Sequence, residues 1–164
     1  MPKRIAAVGA AAVLVLATAV AVFVVGMRTK FPPVVNRVRQ LARDVGNPRM
    51  LKSAGQPGSS ASVIQHIGRS SGKQYQTPVT ALPTADGFVI ALPYGQTDWL
   101  KNILAQGSAT LVHQGSSHLV EPTVVPVDTV LHAFSPRERR NMRLFGVDEC
   151  VLLNRAAPVP TAVR

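Results

Sequence analysis

The chain is poor in the residues that most chemistries need. It has one cysteine, Cys150, so no disulfide framework or cysteine-based metal site can form within it. Cys150 reads as a small buried apolar residue, in keeping with a reducing compartment. Aromatics make up 5% of the residues, with no stacking platform and no zinc-finger spacing, so nucleic acid is not an expected partner. The four histidines show no ligand spacing; His113 and His118 flank one turn but lack a third ligand, and no metal site is expected. There is no Gly-x-Ser-x-Gly elbow, no His-Glu-x-x-His and no Gly-x-Gly-x-x-Gly, which removes hydrolase chemistry and a Rossmann fold. An enzyme built on this chain would borrow its chemistry from a cofactor. Acidic residues are also few, 8 against 18 Lys+Arg, for a formal net charge of +10. That balance favours anionic partners such as lipid headgroups or a phosphorylated small molecule.

Charge is missing altogether from Ile5 to Gly26, where Thr18 is the single polar side chain. As a helix at ~1.5 Å per residue this run covers about 33 Å, enough for a hydrocarbon core of ~30 Å. Lys3 and Arg4 precede it. Arg28, Lys30, Arg37, Arg39 and Arg43 follow it, which by the positive-inside rule puts the rest of the chain in the cytoplasm. The expectation is a single-pass anchor in the cell membrane. The competing reading is a secretory signal cleaved near Ala17-Thr18-Ala19, but the apolar run continues past that point, longer than the usual ~7–15 residues.

With 164 residues, one folded domain follows the apolar segment. The expected divisions are 1–30 anchor, 31–61 juxtamembrane helix and loop, 62–154 folded domain, and 155–164 tail. Phe31-Pro32-Pro33 breaks the helix leaving the membrane. Val34, Val35, Val38, Leu41, Ala42 and Val45 then recur at helical spacing, with Gly46 and Pro48 as stops; the basic face could rest on anionic lipid, and an ordinary solvated face is the alternative. Lys52–Ala61 reads as a loop. Strands are predicted at Ser62–Ile67, Tyr75–Leu82 and Phe88–Leu92, the last two joined by a turn at 83–87. A helix Asp98–Gln106 follows, with Thr97 as N-cap and Gly107 as stop. Strands Ala109–His113 and His118–Val125 flank a turn at 114–117. Ser135-Pro136-Arg137-Glu138 is a capping box opening a helix to about Phe145. Val147–Leu153 is a last strand, and 156–163 a frayed tail. Five or six strands with three short helices make a mainly β, α+β fold, closed as a small barrel.

Two segments could carry chemistry. In Gly68-Arg69-Ser70-Ser71-Gly72-Lys73-Gln74-Tyr75-Gln76-Thr77-Pro78, the glycines allow a turn that gathers N–H groups, Arg69 and Lys73 add charge, and Ser70, Ser71 and Thr77 add hydroxyl donors for a phosphate or carboxylate. A solvated basic hairpin is the alternative. In Tyr94-Gly95-Gln96-Thr97-Asp98-Trp99-Leu100-Lys101-Asn102, the one Trp of the chain stands at a helix start. Trp99 could lie against a planar ring, with Lys101 or Asn102 on its polar edge; a core anchor is the alternative.

These residues resemble the deazaflavin-dependent nitroreductase family of actinobacteria over Ile67 to about Leu153. Gly68, Arg69, Ser71, Gly72, Tyr75, Thr77 and Pro78 match its first motif. Trp99, Asn102, Ile103, Leu104 and Ala105 are similar to its second. Tyr94-Gly95 before Asp98-Trp99, and Leu144-Phe145-Gly146-Val147-Asp148-Glu149, are similar to one branch. The resemblance implies an FMN-binding-like split β-barrel, a reduced deazaflavin coenzyme (F-420, with FMN as the alternative), and hydride transfer to a quinone such as menaquinone, a nitroaromatic or a related acceptor. By position, Arg69, Ser71, Gly72, Lys73 and Thr77 would hold phosphate or tail carboxylates. Pro78, Tyr94, Gly95, Trp99 and Asn102 would border the ring, with Tyr94 the candidate proton donor. The family often pairs as homodimers. Two departures remove cations: Ser70 and Gln76 stand where the family usually has basic residues. They leave a second reading open, a non-catalytic module of the same barrel holding a flavin, haem-like or lipid ligand.

Overall fold

The computed structural model describes residues 2–156, with side chains from residue 13 onward. Helix α1 runs Pro2–Arg28 and α2 runs Pro32–Leu41. A π-helical turn, Ala42–Gly46, leads into α3, Asn47–Met50. Seven strands follow: β1 Ser62–Ile67, β2 Gln74–Val79, β3 Leu82–Pro83, β4 Gly87–Ala91, β5 Ala109–His113, β6 Ser116–Pro126 and β7 Glu149–Arg155. Between them lie α4 (Asp98–Gln106), α5 (Val127–Val130), a 3₁₀ turn (Leu131–Ala133) and α6 (Pro136–Leu144).

All strands belong to one antiparallel sheet in the order β2-β1-β5-β6-β7-β4-β3. A flat sheet of this order would put its outer strands about 29 Å apart at ~4.8 Å per strand. Yet those outer strands, β2 and β3, are joined through Thr80 and Ala81 alone. Such a link reaches about 11 Å at ~3.8 Å per Cα step. The sheet must therefore curl, and the result is a mixed α/β fold built on a half-barrel whose two ends nearly meet.

Strand alternation explains the two cores. Phe88 and Ile90 of β4, with Val151 and Leu153 of β7, point into the curl and pack with Ile64, Leu111, Val120 and the α4 residues Leu100 and Ile103. Val89 and Cys150 point the other way, against Val130, Phe134, Met142 and Val147 beneath α5 and α6. Both faces of β4 and β7 are covered, so these strands read as continuous apolar runs.

Local signals behave as their chemistry requires. In α6, Ser135 Oγ accepts from Glu138 N at 3.3 Å while Glu138 Oε2 accepts from Ser135 N at 2.7 Å, the predicted capping box. Gly107 closes α4 at φ 77°, its N–H donating to Ile103 O.

Several expectations need correction. Among the described residues there are seven strands rather than five or six, because the expected Tyr75–Leu82 strand divides where the sheet turns its open corner. The turn between β5 and β6 is two residues, Gln114 (φ 51°) and Gly115 (φ 82°), so Ser116 and Ser117 belong to β6. Gly46 and Pro48 do not stop the helix. The π turn closes with Asn47 N bonding to Ala42 O, and Pro48 falls in the first turn of α3, where a missing N–H costs nothing. Arg155, expected in the tail, is the last residue of β7 and pairs with Val120. The rest of the expected tail, from 157 on, lies outside the described residues.

The expected membrane span begins at Ile5, where side chains are not described. Among the described residues no single helix is long and apolar enough to cross a membrane; Val13–Arg28 and Pro32–Met50 would pass together, bent by 98°. Val13 to Leu16 and Val20, Val22 and Val25 are exposed. The end of α1 is docked on the barrel. Met27 is buried, Phe23 meets the Phe145 ring edge-on at 6.1 Å, and a Cβ on Gly146 would strike Arg28 O at 2.8 Å. Lys30 Nζ donates to Gly146 O at 2.6 Å and Pro93 O at 3.2 Å. Arg39 Nη2 donates to Tyr94 O.

Candidate cofactor site

The β1–β2 turn spends its polar groups internally. Gly68 N donates to Lys73 O, and Gly72 N to Gly68 O, both at 2.8 Å; Gly72 sits at φ 64°. Ser71 Oγ lies 3.2 Å from the Tyr75 hydroxyl and accepts from Lys73 N. A Cβ on Gly68 would meet Ser71 Oγ at 2.4 Å and Tyr75 Cε2 at 2.8 Å, so a larger residue there would have to move both side chains. Lys73 is exposed.

Arg69 leaves this turn toward α4. Its backbone N–H and its Nη1 both donate to Asn102 Oδ1, at 3.2 and 2.8 Å, and its Nη2 pairs with Asp98 Oδ1 at 3.3 Å. Asn102 is buried, and its Nδ2 donates to His66 Nδ1 at 3.1 Å. His66 Nδ1 is then an acceptor, so the ring proton sits on Nε2, which faces Thr77 Oγ1 at 3.1 Å. Burial lowers the His66 pKa, favouring this neutral form, and the ring stacks on Tyr75 with centroids 5.7 Å apart. Asp98, Arg69, Asn102, His66 and Thr77 thus form one polar tie between helix and hairpin.

The other motif residues meet elsewhere. A cavity of about 440 Å³ is lined by Pro78, Tyr94, Gly95, Thr97 and Trp99. Its far side is α6, through Glu138, Asn141 and Met142; its roof is the arm formed by α2, the π turn and α3, through Ala42, Gly46, Asn47 and Met50. Gly95, at φ 66° with no atom within 4 Å of a would-be Cβ, opens one wall. Trp99 is half-buried, one side on the barrel core. Tyr94 and Gly95 also line a neighbouring cavity of about 480 Å³ that reaches Lys30, Arg39, Asp148 and Glu149.

Of the ten positions expected to bind a cofactor, Pro78, Tyr94, Gly95 and Trp99 converge on the first cavity. Arg69, Thr77 and Asn102 are in the tie, and Ser71, Gly72 and Lys73 are in the turn. His66 shows no ligand spacing in the sequence, but alternation along β1 puts it on the inward face with Ser62 and Ile64, all three buried. The arm's contribution had no signal, since nothing local says where a helix docks. His113 and His118 are packing residues, each ring 5.1 Å from that of Phe88. Cys150 is fully buried, and desolvation pushes its thiol up to about 11.

No family model and no curated protein matches this chain. Solved structures do. A structure described as a domain-swapped dimer is 8% identical with a TM-score of 0.50, covering 73% of this chain and 98% of its own. An F420-H2 dependent reductase is 9% identical with a TM-score of 0.47, covering 58% of this chain and 94% of its own. A Clostridium acetobutylicum protein of the pyridoxinephosphate oxidase family, related to general stress protein 26 of B. subtilis, is 7% identical with a TM-score of 0.44, covering 66% of this chain and 80% of its own. At such identities the likeness is one of fold.

Proposed function

We propose that this protein is a membrane-anchored reductase that takes a deazaflavin coenzyme of the F-420 type, with FMN as the alternative, and reduces a quinone such as menaquinone or a nitroaromatic. The observation that carries the reading is the cavity where Pro78, Tyr94, Gly95 and Trp99 meet. Its size lies within the ~300–1,000 Å³ typical of small-molecule sites, and its walls are largely apolar with a few polar groups. Those residues fit a planar ring. Trp99 offers a face to orient it, Gly95 lets it approach the backbone, and the arm covers one side. Tyr94 is the candidate group to hold a proton at its phenol oxygen for the reduced acceptor. When bound, the reduced coenzyme supplies the hydride. The exposed apolar length of α1 and the cations after it support an anchor with the barrel in the cytoplasm, where a lipid-soluble acceptor partitions nearby. A homodimer is part of the same reading.

Purified full-length protein in detergent should bind reduced F-420 and oxidise it when menaquinone is added. Neither binding nor oxidation would end the reading. A non-catalytic binding module is the second reading, and one observation favours it: Arg69, the main cation expected to hold the coenzyme's anionic part, is already paired with Asp98. The absorption spectrum of the protein as isolated, with mass spectrometry of what it releases, distinguishes the two.

A further inference from the structure

The arm from Pro32 to Met50 leaves apolar side chains uncovered and carries a basic surface. Val34, Val38, Leu41 and Val45 recur at i, i+4, i+7 and i+11, one stripe of a helix. The stripe starts against α1, where a Cβ on Gly26 would meet Val34 Cγ2 at 2.6 Å. Farther along it is uncovered. Leu41 is 61% exposed, and Val45 and Met50 are exposed as well. At the bend Phe31 is exposed, and so is Leu144 on α6, next to Phe145, whose ring meets Phe23.

The charge around these side chains is almost all of one sign. Residues 28–52 hold seven cations and one acid, Asp44. Lys30 and Arg39 are tied to barrel carbonyls, but Arg28, Arg37, Arg43, Arg49 and Lys52 are exposed. Arg143 of α6, whose carbonyl accepts from Arg28 Nη1, adds another exposed cation. Apolar side chains among cations suit an anionic bilayer surface, where each Lys or Arg gains about 1 kcal/mol. The direction of the arm agrees with this. It is bent from α1 by 98°, so an α1 that follows the bilayer normal lays the arm almost flat along the membrane surface.

We propose that the arm is an interfacial element: in the anchored protein it lies on an anionic bilayer surface, with Phe31, Leu41 and Val45 in the headgroup region and Arg37, Arg43 and Arg49 on lipid phosphates. This rests on the anchor reading above and adds to it a second, peripheral contact with the membrane. The arm also roofs the cavity at Trp99, so the contact holds that cavity close to the bilayer, where a lipid-soluble acceptor partitions.

The test uses the full-length protein and an introduced thiol. Cys150 is buried and its thiol is pushed up to about 11, so a thiol reagent at neutral pH labels the new cysteine alone. Leu41→Cys reports on the arm. Ser70→Cys is the reference, in the exposed β1–β2 turn at the opposite end of β2 from Val79, which lines the roofed cavity. Each protein carries an environment-sensitive fluorophore and is reconstituted into phosphatidylcholine vesicles with or without phosphatidylglycerol. Quenching by lipid spin-labelled near the headgroup is read on the floated vesicles. With phosphatidylglycerol present, the Leu41 label should lie about 5–10 Å into the interface and be quenched at least about twofold more than the Ser70 label. Omitting phosphatidylglycerol, or combining Arg37→Gln with Arg43→Gln, should reduce that excess by about half or more. Equal quenching of the two labels in protein that floats would overturn the inference and leave the anchor reading intact. An excess unchanged by lipid charge and by the arginine pair would overturn the assignment to an anionic surface. Protein that does not float with the vesicles would overturn both readings.

Discussion

The β1–β2 hairpin and the segment from Tyr94 to Trp99 both present residues of a kind that hold ligands, and they use them in opposite ways. In the hairpin, Arg69 and Thr77 are committed to partners inside the protein: Asp98, Asn102 and His66. In the second segment, Tyr94, Gly95, Thr97 and Trp99 line a cavity rather than bonding across the fold. One region has its polar groups satisfied and is structural as it stands. The other borders a cavity of about 440 Å³. A motif match therefore does not say whether a residue faces the ligand or holds up the wall behind it.

The comparison breaks first at Asn102. This side chain accepts twice from Arg69 and donates to His66 while buried. Asn102→Ala should destabilise the fold by about 2–3 kcal/mol, because the buried His66 Nδ1 loses its donor and the Arg69 groups their acceptor. Urea denaturation measures this. A loss under about 0.5 kcal/mol would mean the tie carries no weight.

The cavity side depends on the arm staying down. Lys30→Met removes the ammonium that bridges Gly146 O and Pro93 O, and should cost about 1.5–3 kcal/mol, the range for charged hydrogen bonds. The loss should be local. Limited proteolysis should cut 29–61 faster in this variant while the barrel resists as in wild type; equal cutting would show that other contacts hold the arm.

A smaller effect comes from pH. Burial depresses the His66 pKa, so the unfolded chain binds more protons than the folded one between that lowered value and about 6.5. Stability is full above about pH 6.5 and falls as pH drops through this window. His113, lowered by burial and then by His118, adds the same sign. Melting curves between pH 7.5 and 5 should show the decline, and His66→Gln should shrink it. A decline unchanged in His66→Gln would assign it to His113.

The legible parts of the fold are those whose cause is local. The capping box at Ser135 and Glu138, the stop at Gly107 and the β1 boundaries follow from a few adjacent residues. Gly46 and Pro48 misled because their usual effect on a helix was overridden by a π turn and by Pro48 falling in a first helical turn. The cavity was half legible. Residues 94–99 and Pro78 carry a pattern, while the roof over 42–50 and the wall at 138–142 are set by docking between distant segments. His66 is not legible as a site residue because a lone histidine carries no spacing, and its meaning comes only from Asn102 across the fold.

In the proposed reading the cavity at Trp99 takes the ring, and the Arg69 guanidinium, which already meets Asp98 and Asn102, takes the anionic part. Trp99 is the one Trp in the chain, so its fluorescence reports on the pocket directly. The decisive measurement is a titration of F-420 into wild type and Asp98→Asn. The substitution removes the charge of an exposed ion pair, worth less than ~1 kcal/mol to stability, and leaves the Arg69 charge uncompensated while its Nη1 stays on Asn102 Oδ1. F-420 should quench Trp99 in both proteins, with affinity several-fold tighter in Asp98→Asn through one more charge-assisted hydrogen bond. Absence of quenching in either protein, or equal affinity in the two, would contradict the account.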